Sequence, residues 1–259
     1  MLIHSTNDYD PLHEIIVGRA DFAHIPPVDS SMKNFMYANL TIEEIKKYVG
    51  PYDQEVLEET SEDLDILSEV LEDCGVIVHR PEKIQHRHLI QTPKWKTTGW
   101  YNYCPRDIFL VLGNNIVEVP SVMRSRMFET WSYNKILHEA FDDGTNWFSA
   151  PKQIVEDVSF DFSDLSQSTL MNKEILFDAP NVVRIDNDLI FQISNSGNEK
   201  GAEWLQRMFP DYKIHIERDA YSGAHFDSTV IPLREGLVLL NGLRCDQDNF
   251  PKFFKDWEK

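Results

Sequence analysis

Cysteine is scarce: the chain has three in 259 residues, Cys74, Cys104 and Cys245. The number is odd and no two have metal-ligand spacing. A disulfide scaffold and a cysteine-built metal centre are therefore disfavoured, and the chain reads as a reduced, cytoplasmic protein. No run approaches the roughly 20 apolar residues of a membrane span. The N-terminal "MLIHSTNDYDPL" has neither the basic start nor the apolar stretch of a secretory signal. Positive charge is also short, with 25 Lys and Arg against 43 Asp and Glu, a net charge of -18 and a pI near 4.8. That balance argues against nucleic acid and anionic membranes as partners and is compatible with a small cationic substrate. The phosphate-loop, dinucleotide, zinc-protease and serine-hydrolase strings (GxxxxGK[ST], GxGxxG, HExxH, GxSxG) are all missing.

What is present is a folding composition, 42% hydrophobic and 12% aromatic, on a length that suits one domain over 1–259. "HEIIVGRA" (13–20) reads as a strand. Residues 54–74 read as an acidic amphipathic helix, with Leu57, Leu64, Leu67, Leu71 and Cys74 at helical spacing and Gly75 as the stop. "VIVHRP" follows as a strand. "DIFLVLGNNIVEVP" (107–120) reads as a hairpin turning at Gly113–Asn115, then a helix over 125–142 and a strand in "NWFSAP". "NVVRIDNDLIFQIS" (181–194) is a second hairpin, followed by a helix at 199–209 and a strand at 212–218. "DSTVIPLREGLVLLN" (227–241) is a third, followed by the start of a helix in "NFPKFFKDWEK". Hairpin, helix and strand thus recur, which suggests an α/β repeat of propeller type. The last unit stops inside its helix, so the expectation is an incomplete propeller, with an apolar helix face and a sheet edge left unpartnered.

The chemistry-bearing residues sit where these units begin. "YCPRDIF" places Asp107 at the first hairpin, "LFDAPNVVR" places Asp178 ahead of the second, and "AHFDSTV" places His225 and Asp227 ahead of the third. If the last stretch is a strand, His225 and Asp227 share one face. Arg244, in "GLRCDQ", follows that hairpin. Equivalent positions of repeated units converge around an axis, which would gather three acids and a histidine. Taken singly, each Asp also reads as a turn or cap residue, and the His as a bonded core residue. "QHRHL" (85–89) reads as a solvated loop or edge strand rather than a metal site. As a cluster, two facing carboxylates suit a planar guanidinium. A third carboxylate bonded to His225 would hold its tautomer and raise its pKa for acid–base work. Arg244 would receive a substrate carboxylate.

The segments "DPLHEIIVGRADFAHIPP", "PRDIFLVLGNNIVEVP", "MRSRMFE", "FDAPNVVR" and "HFDSTV" occur in an order that resembles the amidinotransferase family, the glycine amidinotransferases in particular. The resemblance implies ββαβ units around a pseudo-fivefold axis, the pentein α/β propeller. It also implies ping-pong amidino transfer from arginine to an amine, glycine giving guanidinoacetate and ornithine as in creatine biosynthesis, with no cofactor and no metal. It assigns Asp178 and His225 to catalysis, Asp107 and Asp227 to the guanidinium, and Arg244 to the substrate carboxylate. Its nucleophilic cysteine lies far downstream of the "HFD" segment, and none of Cys74, Cys104 and Cys245 matches that context. The expectation is a C-terminally truncated chain whose catalytic thiol lies elsewhere. Asn181 replaces an Asp frequent in the family, and Ala224 replaces a larger residue usual in the glycine-specific enzyme. A deiminase-like hydrolase and a guanidino-binding or split-subunit fragment are the competing readings. A homodimer or a complementing C-terminal polypeptide would be the protein partners.

Overall fold

The computed structural model describes residues 3–246 and 248–259. The first two residues of the N-terminal stretch read for a leader, and the final residue of "GLRCDQ", lie outside them. In the first part of the chain, β1 (Glu14–Ile16) pairs in parallel with β4 (Ile77–His79). Between them come β2 (His24–Ile25), α1 (Ser30–Met36), α2 (Ile42–Ile45), β3 (Gly50–Pro51) and the 20-residue α3 (Gln54–Asp73). β2 pairs antiparallel with β3, and β5 (Leu89–Gln91) with β6 (Lys96–Thr98). The short helix α4 (Pro105–Ile108) then leads into the first full unit.

That unit is the hairpin β7 (Phe109–Leu112) and β8 (Asn115–Glu118), the helix α5 (Asn134–Asp142), and β9 (Asn146–Ser149), which returns parallel to β8. Gly113 at the turn has φ +56, a conformation glycine adopts without a Cβ penalty. The second unit repeats the order with β10 (Val182–Ile185), β11 (Asp188–Gln192), α6 (Glu199–Met208) and β12 (Lys213–Glu217). The third hairpin is β13 (Val230–Arg234) with β14 (Leu237–Leu240). Hairpin strands buried on both faces read as near-continuous apolar runs. Leu110, Val117, Val182, Leu189, Phe177 and Phe191 form one cluster with Leu205 of α6. Each such side chain contributes about 1.5–3 kcal/mol on burial. Among the described residues no helix is long and apolar enough to cross a membrane.

Five expectations are corrected. The helix read over 125–142 begins only at Asn134; Arg124–Arg126 and Glu129–Tyr133 are separate 3-10 turns. Their buried charges need partners in different directions, Arg124 toward Val155 and Asp157, Arg126 toward Asp107. One regular helix face cannot meet both. On α3, Leu64 and Ser68 are buried, whereas Leu67 and Cys74 are exposed. His86 is buried rather than solvated, and burial lowers its pKa to about 4; only His88 of that pair is exposed.

The stretch holding His225 and Asp227 is not a strand. His225 has φ +64 and opens the 3-10 turn Phe226–Ser228, and the strand starts at Val230. Finally, the last residues do not leave a bare helix face. Only Lys252–Phe254 is helical, as a 3-10 turn after Pro251. Phe254 is fully buried against Phe226, Val230 and Val238, with Phe250, Phe253 and Trp257 packed beside it. The turn carries Glu258 to the edge of β14, where it bridges Leu237 in parallel and exchanges backbone hydrogen bonds with Gly236 and Val238. That is where the parallel third strand of the other units lies.

Candidate active site

Each unit begins with a short helical turn ahead of its first strand, and each turn carries chemistry-bearing residues. Asp107 lies in α4 before β7, Asp178 caps the turn Ala179–Asn181 before β10, and His225 caps the turn before β13. Proline at the start of the first two turns, Pro105 and Pro180, presets the helical φ. The three turns meet, and His225 stands between the two carboxylates. Its Nδ1 is 3.7 Å from Asp107 Oδ1, and its Nε2 is 3.5 Å from Asp178 Oδ2.

The remaining atoms of the cluster are tied down. Asp178 Oδ1 accepts from the Val122 backbone N–H at 3.2 Å. Asp107 Oδ2 accepts from Arg126 Nη1 at 2.6 Å. Arg126 also gives a bidentate pair to Glu129, at 2.6 and 2.9 Å. Both side chains of that pair are essentially buried, at 0% and 1% exposure. Phe35 of α1 packs edge-on against the His225 ring, with centroids 5.0 Å apart. A positive φ at a non-glycine residue costs on the order of 1–3 kcal/mol and persists only where the surroundings enforce it. Here the His225 N–H donates to Ser196 Oγ at 2.9 Å.

The electrostatics favour a charged imidazole. Burial works against the imidazolium, but the contact with Asp178 and the charges of Asp107 and Asp178 outweigh it, and the His225 pKa is raised. Asp178 Oδ2 and His225 Nε2 are buried without another hydrogen-bond partner. At 3.5 Å they are too far apart for a well-formed bond, and the contact is chiefly electrostatic.

Asp227 stands at the rim, about one third exposed, with Arg106 Nε 3.7 Å from its Oδ2. Burial raises its pKa, with Arg106 and His225 pulling the other way. It is thus within electrostatic reach of the Asp107–His225 group. Arg244 stands apart. Its guanidinium donates to Ser228 Oγ at 2.6 Å and lies over the Tyr221 ring at 4.3 Å. Ser228 Oγ in turn donates to the His225 carbonyl. Sequence reasoning missed Arg126, Glu129 and Ser196. Only the charged residues in "MRSRMFE" signalled the first two, and nothing local signalled the serine.

Cys104 meets this cluster through its backbone carbonyl, which accepts from the Asp107 N–H at 3.1 Å and from Arg126 Nη2 at 3.4 Å, and not through its thiol. Cys104, just ahead of α4, has its thiol pushed up to about 12 by burial and then by Asp107. Burial also raises Cys245, whose Sγ faces the Asn249 carbonyl at 3.9 Å. Cys74 is exposed at the end of α3.

Repeated ββαβ units whose leading turns gather two carboxylates around a histidine match the α/β propeller that the family resemblance implies. The solved inosamine-phosphate amidinotransferase of Streptomyces griseus superposes with a TM-score of 0.95 at 42% identity, covering 99% of this chain and 74% of that one. Inosamine-phosphate amidinotransferase 1 of Streptomyces glaucescens is 42% identical over 258 residues, again 99% and 74% of the two chains. The glycine amidinotransferase of Xenopus tropicalis, from the branch the sequence resemblance points to, is 35% identical, over 94% of this chain and 61% of its own length. DDAH from Pseudomonas aeruginosa shares the fold alone, with a TM-score of 0.60 at 12% identity, covering 95% of this chain and 74% of that one. No family model matches. The chain belongs to the amidinotransferase family, enzymes that transfer amidino groups.

Proposed function

We propose that the chain supplies the guanidinium-binding and acid–base groups of an arginine-dependent amidinotransferase. The observation that carries this is His225 standing between Asp107 and Asp178, with an open contact toward each. Asp227 and the free Oδ1 of Asp107 would hold the guanidinium of arginine, which displaces Arg106 from Asp227. Arg244 would take the substrate carboxylate.

A cysteine thiolate attacks the guanidino carbon, forming the C–S bond. The Cζ–Nε bond breaks, His225 gives its proton to Nε, and ornithine leaves. In the second half, the incoming ammonium loses one proton to solvent, the amine attacks the S-amidino carbon, His225 takes the second proton from the attacking nitrogen, and the C–S bond breaks to return the thiolate. A protonated His225 is what the first half needs, and its raised pKa favours that form. The raised pKa values of Cys104 and Cys245 and the exposed place of Cys74 at the end of α3 argue against all three as the nucleophile. In this proposal the thiol comes from residues beyond these 259, on a longer chain or a complementing polypeptide.

Glycine is the acceptor the family resemblance implies. Two points favour a bulkier amine: the small Ala224 beside His225, and the higher identity to enzymes named for inosamine phosphate. The test is mass spectrometry of arginine mixed with glycine, lysine or an aminocyclitol phosphate. The chain is used alone and with a polypeptide covering the rest of the Streptomyces glaucescens sequence. Ornithine with one amidinated amine in the complemented mixture is expected. Citrulline would move the reading to hydrolysis, and no product would overturn it.

A second reading, guanidino binding without turnover by this chain alone, is favoured by the same cysteine placement. It predicts arginine binding with no ornithine from the chain by itself.

A further inference from the structure

We propose that Ser196 is the positioning residue that locks the acid and the base of the site together. The proposal rests on the functional reading of Asp178 and His225 given above. Ser196 uses both ends at once. Its backbone carbonyl accepts from the Asp178 N–H at 2.8 Å, and its Oγ accepts from the His225 N–H at 2.9 Å. Asp178 and His225 belong to different units, 47 positions apart in sequence, and this one fully buried residue is bonded to the backbone of each.

The serine is itself held in one orientation. Its Oγ donates to Asn181 Oδ1 at 2.6 Å, so its lone pairs face the His225 N–H. The Asn181 amide donates to the Gln192 carbonyl at 2.8 Å and to Ser194 Oγ at 2.9 Å, which leaves it no freedom to flip. Gly197 completes the lock. A Cβ there would stand 2.4 Å from Asn181 Nδ2, so only glycine lets the loop lie this close to the buried amide. Asn181, where the family frequently carries an Asp, is therefore the residue that aims Ser196; an Asp could not donate to Gln192 or Ser194. Because His225 has φ +64, loss of the bond to its N–H frees the turn to relax and carries the imidazole away from Asp178.

The groups facing the imidazole are Asp107, Asp178, Asp227 and, behind Asp107, Arg126. The readout is the His225 titration in the full chain by NMR of labelled imidazole, with arginine affinity measured alongside. In Ser196→Ala the His225 midpoint is expected to move down toward that of free imidazole. Arginine affinity should fall as well, because Asp227 sits in the same turn as His225 and moves with it. Ser159→Ala removes an equally buried hydroxyl away from the site and should leave the midpoint unmoved. If Ser196→Ala does not fold, Asn181→Ala is read the same way. A folded Ser196→Ala chain with the wild-type midpoint overturns the proposal. Failure of arginine to bind the wild-type chain would instead count against the functional reading, and the midpoint shift would still stand on its own.

Discussion

The Nε2 atom of His225 lies 3.5 Å from Oδ2 of Asp178, and neither atom has another hydrogen-bond partner. Two buried polar atoms left with only each other are costly unless charge holds them together. The charged form of the pair is therefore the stable one, and stability becomes linked to pH. The folded pKa of His225 lies above its ordinary value. Its contribution to stability is then fully present below about pH 6.5 and is lost as pH rises through the folded pKa. Urea unfolding midpoints should fall for this reason as pH is raised above 6.5. Asp178→Asn should flatten that dependence and lower the His225 midpoint by NMR. An Asp178→Asn chain with the wild-type pH profile would contradict the pairing.

The Arg126–Glu129 pair anchors Asp107 from behind. Glu129→Ala leaves a fully buried guanidinium short of its bidentate partner, which costs about 3–5 kcal/mol. Replacing Arg126 and Glu129 together by Met and Leu should cost less, because no buried guanidinium is left without its bidentate partner, although Asp107 Oδ2 loses its donor. Only the double change removes the Arg126 donor to Asp107 Oδ2, so arginine affinity should drop there and stay closer to wild type in Glu129→Ala. Chemical denaturation with calorimetric titration checks both halves.

The three cysteines should differ sharply in reactivity. Alkylation by iodoacetamide at pH 7, followed by peptide mass mapping, should modify exposed Cys74 first. Cys104, pushed up to about 12, should stay largely unmodified, as should buried Cys245. Fast, arginine-protected labelling of Cys104 would make it the nucleophile and overturn the assignment of the thiol to residues beyond these 259.

Phe254 ties the last residues to the turn that carries His225. It is fully buried in one cluster with Phe226, the residue after His225. Phe254→Ala should cost about 3–5 kcal/mol in urea unfolding. It should also broaden the His225 resonance if the turn loosens with it.

The three hairpins, both crossover helices and the placement of an acid or histidine ahead of each hairpin were legible in the sequence. Apolar runs broken by Gly113, Asp186–Asp188 and Gly236 carry that information locally. The site's internal wiring was not. His225 and Asp227 alternate like strand residues, yet the bond His225 donates to Ser196, 29 positions away, holds a positive φ that no local pattern encodes. The helical reading of 125–133 failed similarly, because Arg124 and Arg126 are drawn toward partners 31 and 19 positions distant. The terminal aromatic residues looked like an open helix face. They instead cover Val230 and Val238, a contact that helical periodicity does not disclose.

The central claim is that Asp107 and Asp227 bind a guanidinium beside His225. Calorimetric titration of the full chain with arginine and with citrulline, in wild type and Asp227→Asn, tests it most directly. Citrulline keeps the amino-acid end but has a carbonyl oxygen in place of one guanidino nitrogen, so it lacks the positive charge and that nitrogen's donors. Arginine should bind at least about tenfold more tightly than citrulline, and Asp227→Asn should remove that preference. Equal affinity for the two ligands, or a preference that survives in Asp227→Asn, would contradict it.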